Sequence, residues 1–95
     1  MPKFIIERRI PGASTLTPEE LQQIAIKSNA VVSGLGEPYT WHTSYVAGDK
    51  IYCVHEAENA EAVNRHAREG GFPADEVTMI QEVIGPETAT RAPVA

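Results

Sequence analysis

Residues 39–57 read YTWHTSYVAGDKIYCVHEA. Two runs, Tyr39 to Ala47 and Lys50 to Ala57, are rich in Thr, Val, Ile and aromatic residues and meet at Gly48-Asp49. Such side chains suit a pleated, half-buried surface, and a short Gly-containing joint folds one strand back on the next. The stretch predicts a β-hairpin. What flanks it decides the fold, because a helix is predicted on each side.

Upstream, Thr17-Pro18-Glu19-Glu20 is a helix start. Thr17 can cap, Pro18 suits the first helical position, and Glu20 stands three residues on to complete a capping box. Leu21, Ile24, Ala25, Val31, Val32 and Leu35 then recur at helical spacing, until Gly36 supplies a left-handed stop with Pro38 behind it. Downstream, Asn59 caps a second helix running to about Glu69, which Gly70-Gly71 ends. At the outside, Lys3 to Ile10 reads as a first strand closed by Pro11-Gly12, and Val77 to Ile84 (VTMIQEVI) as a last one closed by Gly85-Pro86. The order is βαββαβ. This is the split βαβ arrangement of the α+β class: a ferredoxin-like sandwich with a four-stranded antiparallel sheet and two helices on one face. One domain is expected over residues 1–86, followed by a flexible tail over residues 87–95.

The totals agree with one small domain. Ninety-five residues with an apolar fraction of 42% can bury one modest core. A net charge of -5 argues against nucleic-acid binding, which needs a basic stripe, and Arg8-Arg9 and Arg65/Arg68 are too sparse to reverse that. Cys53 is the only cysteine, so no internal disulfide forms, as in a reducing compartment. No stretch approaches a membrane span, and Met1-Pro2-Lys3-Phe4 lacks the layout of a secretory signal. The expectation is a cytoplasmic protein with no membrane or nucleic-acid partner. Adjacent positions are apolar or bulky on both sides of the strands (Phe4/Ile5/Ile6 and Ile51/Tyr52/Cys53/Val54), so the sheet face away from the helices is expected to be covered in a homodimer.

The chemistry is carried by polar residues where the pattern asks for apolar ones. On the second helix the inward face is Ala62, Val63, His66, Ala67 and Gly70, with the imidazole in the middle. A histidine among small residues can reach into a cavity as base, ligand or hydrogen-bond partner, or can simply be a satisfied core group. Ser28 interrupts the apolar face of the first helix in the same way. Alternation puts Cys53 and His55 on one side of their strand and Tyr52 and Glu56 on the other; on the strand before, it groups His42 with Ser44 and Trp41 with Thr43 and Tyr45. Cys53 and His55, with His42, are the candidate metal ligands. His66, Tyr52, Ser44, Ser28 and Glu56 are the candidate ligand-binding residues. Gly34-Leu35-Gly36 is a helix ending and not a phosphate loop, and His55-Glu56 has no second histidine to make a zinc-protease motif.

The stretches Glu7 to Gly12, Ser44-Tyr45-Val46, Asp49 to Val54 and His66 to Asp75 resemble a family of small bacterial domains of unknown function, often labelled nickel-binding-protein-like. The resemblance covers about residues 3 to 88. It implies a ferredoxin-like fold, commonly a dimer, and for some members a bound divalent metal, nickel. In the nickel-binding members it implies histidines in the first strand, where this chain has Glu7, Arg8 and Arg9. Three roles follow as expectations: a dimeric binding domain with a ligand or nickel pocket between helices and sheet; a cofactor-free oxygenase- or cyclase-like enzyme with His66 as base and Tyr52 as orienting donor; or a structural or interaction module.

Overall fold

The computed structural model describes residues 1–93. Strand β1 (Lys3–Arg9) leads through a short 3-10 turn (Ala13–Thr15) into helix α1 (Pro18–Gly34). The hairpin β2 (Tyr39–Ala47) and β3 (Lys50–Ala57) follows, then helix α2 (Ala60–Gly70) and strand β4 (Glu76–Met79). The four strands form one antiparallel sheet in the order β2-β3-β1-β4, the ferredoxin-like order. Among the described residues no helix is long and apolar enough to cross a membrane.

Local chemistry accounts for the element boundaries. Thr17 Oγ1 accepts from the Glu20 backbone N–H while the Glu20 carboxylate accepts from the Thr17 N–H, which satisfies two orphan donors at the start of α1. Asn59 Oδ1 caps α2 through the Ala62 N–H. The hairpin turns at Gly48, whose φ of 59° lies in the left-handed region that glycine enters without steric cost.

The last strand is shorter than its sequence pattern. Val77 to Ile84 reads as one run, yet pairing ends at Met79. β4 has one neighbour, β1, and Met79 already pairs with Phe4 near the start of that strand. The Ile80 N–H takes the Lys3 carbonyl, and beyond Lys3 no further ladder exists. Val83 and Ile84 are left 73% and 76% exposed. The tail includes a 3-10 turn at Pro86–Thr90, and the expected flexible segment also takes in positions 94 and 95, outside the described residues.

The two helices pack differently. α2 buries Ala62, Val63, His66, Ala67 and Gly70, a face of small residues that lets it lie close on the sheet. Phe4, Ile6, Ile51, Cys53 and Ala57 meet it there as the core. α1 buries only Ser28 along its length; Leu21, Ile24 and Ala25 remain half-exposed. Its apolar stripe has the pattern of a core-facing surface and is only partly covered.

At the end of α2, Gly70 leaves room for the Phe72 ring, which a Cβ at that position would overlap. Gly→Ala at the end of an exposed helix is ordinarily neutral or stabilising. Here Gly70→Ala should instead destabilise the protein by about 1–3 kcal/mol, through overpacking against the ring. Urea denaturation reads the sign directly, and a neutral or stabilised variant refutes the close fit.

Candidate functional site

Because α1 stands off the sheet, a hollow of about 230 Å³ lies between α1, α2 and the inner sheet face. Leu21, Ile24, Trp41 and Val46, all partly or fully exposed, mark its open side. Arg8, Ser28, Cys53, His55 and His66 form its buried floor. The imidazole under the second helix thus shares a space with other polar groups, a cleft open on one side and not a sealed void.

His66 is 1% exposed. Its ring stacks between Tyr39 and Phe72, with centroids 5.3 and 5.6 Å away, and meets the His55 ring edge-on at 4.9 Å. Its Nε2 lies 3.1 Å from Ser28 Oγ, so the mid-helix serine bonds across to α2. His66 Nδ1 is buried with no hydrogen-bond partner among the described residues. His55 Nδ1 meets the Tyr39 hydroxyl at 2.5 Å. Burial holds the Tyr39 phenol well above its usual range, so it stays protonated.

Arg8 is the residue that the sequence reading passed over. It is 4% exposed and points to the same side as Phe4 and Ile6. Its Nε donates to Cys53 Sγ at 3.3 Å, its Nη1 donates to the Pro73 carbonyl at 2.5 Å, and its Cζ lies 5.6 Å from the Phe72 ring centre. Cys53 Sγ also accepts from Ser44 Oγ at 3.0 Å, and Ser44 in turn accepts from Trp41 Nε1 at 2.9 Å. A polar chain thus runs Trp41–Ser44–Cys53–Arg8 across three strands. The strict alternation Phe4, Ile6, Arg8 was the available signal: it places a cation at a core position of the first strand.

Burial, with the Arg8 charge second, pushes the His66 imidazole down to about 4, against weaker opposing pulls from Ser28 and Glu69. Burial, then His66 and Arg8, pushes His55 down to about 3. Both rings are neutral at pH 7.

Of the sequence candidates, His66, Ser28, Ser44, Cys53 and His55 line the one hollow. Tyr52 and Glu56 do not. They sit on the opposite sheet face, Tyr52 with Ile5 and Glu7, and Glu56 bonded to His42 at 2.8 Å. The sheet therefore separates His66 from Tyr52, which removes the base-and-donor pair of the enzyme reading. A β-bulge between Trp41 and Thr43 shifts the alternation of β2. Trp41 and Ser44 consequently line the hollow together, and His42 and Ser44 face opposite sides, contrary to simple alternation.

These features define a small ferredoxin-like sandwich with a cleft between its helices and sheet. The profile of the family described as nickel responsive protein SCO4226-like matches residues 4–80, and the chain belongs to that family. The crystal structure of SCO4226 from Streptomyces coelicolor A3(2) is similar, with a TM-score of 0.72 and 27% sequence identity, over 86% of this chain and 99% of that one. No curated protein matches the sequence.

The residues of the hollow do not fit the nickel that the family description raises. Among the described residues no group of three or more His, Cys, Asp or Glu is placed to hold a metal ion. His55 Nδ1 and His66 Nε2 are engaged by Tyr39 and Ser28, and His42 lies across the sheet. The Arg8 guanidinium adds a positive charge to the same space.

The depressed imidazoles link stability to pH. Their folded-state values lie below the unfolded value of 6.5, so their contribution is complete above about pH 6.5. As pH falls from 6.5 towards 4 the unfolded chain takes up protons that the folded one refuses. Each imidazole then costs up to about 1.4 kcal/mol per pH unit. His66→Gln should flatten the loss of stability between pH 6 and 4 in urea titrations, and a slope parallel to wild type would contradict a neutral buried ring.

Proposed function

We propose that this protein is a binding domain for a small, largely apolar molecule held between α1 and the sheet. The observation that carries the reading is the incomplete packing of α1. Leu21, Ile24 and Ala25 face a hollow of about 230 Å³ that an ordinary core would have closed. Ligand sites are concave, mostly apolar and furnished with a few fixed polar groups. Arg8, Ser44 and the two imidazoles are such groups. A nickel site in the same hollow is the weaker reading, because no three donors are grouped to hold a metal ion among the described residues and a guanidinium sits in the same space.

Trp41, the only tryptophan, lines the hollow and reports on its contents. Titration with 1-octanol should change its fluorescence saturably. Ala25→Phe, which fills the space from α1, should weaken that response at least tenfold while leaving thermal stability equal or higher. A linear, unsaturable response in the unmodified protein argues against a ligand pocket.

On the same reading a second copy of the chain packs on the open sheet face. Ile5 and Tyr45 lie exposed on that face, between the Lys50–Glu7 and His42–Glu56 pairs, and Val83 and Ile84 stand in solvent past the end of β4. Apolar surface of this kind favours self-association. Sedimentation equilibrium should give a dimer in the micromolar range, dissociated by Tyr45→Lys; a monomer at high concentration overturns this part.

A further inference from the structure

The buried guanidinium of Arg8 has no carboxylate to pair with among the described residues. The chain holds 13 acidic residues, yet none of the side chains lining the hollow is acidic. Arginine offers five N–H donors in a planar fork. Here Nε is given to a thiol and one Nη1 proton to the Pro73 carbonyl, and Nη2 has no acceptor among the described residues. Arg8 is nevertheless part of the hollow's lining. A buried charge without a counter-charge is costly, and natural interiors rarely keep one.

We propose that the hollow takes a monocarboxylate with an apolar body, its carboxylate seated on the open edge of the Arg8 guanidinium and its body against Leu21, Ile24 and Trp41. This rests on reading the hollow as a ligand pocket and adds the chemical class of the ligand. One planar fork suits one carboxylate, through paired N–H···O bonds. A phosphate dianion would ask for more donors than remain, since Ser44 is engaged with Trp41 and Cys53, and Ser28 with His66. The neutral imidazoles leave a single positive charge to be matched, and the apolar walls leave the rest of the molecule to hydrophobic contact. The polar end lies deep and the apolar residues lie towards the mouth, so the carboxylate enters first.

Three probes of equal length, octanoate, 1-octanol and octylammonium, separate the possibilities when titrated against the intact protein at pH 7 and followed by Trp41 fluorescence. Octanoate should bind at least tenfold tighter than octanol, with octylammonium weakest, and Arg8→Gln should abolish the advantage of octanoate while octanol binding persists. Equal binding of octanoate and octanol, or tighter binding of octylammonium, overturns the carboxylate inference and leaves the pocket standing. An octanoate advantage that survives in Arg8→Gln overturns the seat on Arg8. Failure of all three probes removes both the pocket and its ligand class. Should Arg8→Gln not fold, the Arg8 side-chain Nε–H resonance in the unmodified protein decides: a saturable shift with octanoate and none with octanol is expected, and identical behaviour with both overturns the proposal.

Discussion

A guanidinium that enters the interior must be surrounded by something, and the surroundings of Arg8 organise one end of this molecule. Removing such a charge from water costs several kcal/mol even after relaxation. The compensation comes from a carbonyl in the connector at Pro73, the sulfur of Cys53 and the face of Phe72. Each of these depends on another choice. The ring reaches its place because Gly70 has no side chain, and the connector turns there because Gly71 closes α2 in a left-handed conformation, with φ of 69°. The same charge, behind the larger effect of burial, keeps the neighbouring imidazoles neutral.

The second constraint is the unequal seating of the helices. α2 carries mostly small residues on its inner face and lies flat, and His66 projects from it into a column of rings. α1 carries larger side chains, and the bulky Trp41 stands opposite on β2. The two cannot close on each other, and the space between them is the hollow. Its polar floor belongs to the strands and to α2, while its apolar walls belong to α1 and the rim. A ligand would therefore meet rigid sheet-mounted groups at one end and a less firmly packed helix at the other. Within α1 itself Ser28 is the buried residue, because it is short enough to sit beneath the helix and polar enough to meet His66.

Much of the fold was legible because it rests on short-range chemistry. The Thr17–Glu20 capping box, the Asn59 cap, the Gly48-Asp49 joint and the strand runs on either side of it involve residues a few positions apart, and such signals are complete within the chain that carries them. His66 and Ser28 stood out for the same reason: each breaks a local periodicity, and both lie in the hollow.

By itself, then, the sequence determined the elements, their order and the polar residues that interrupt their apolar faces. Only the tertiary structure decided which of those residues meet. β4 stops at Met79 because β1 runs out at Lys3, far away in the chain. The bulge after Trp41 turns Ser44 into the hollow and His42 out of it, and the sheet parts Tyr52 from His66 although both looked like members of one site. The burial of Arg8, and the gap that α1 leaves above it, depend on how well two helices of different bulk fit the same sheet. That fit is a property of packed volumes and not of any local pattern.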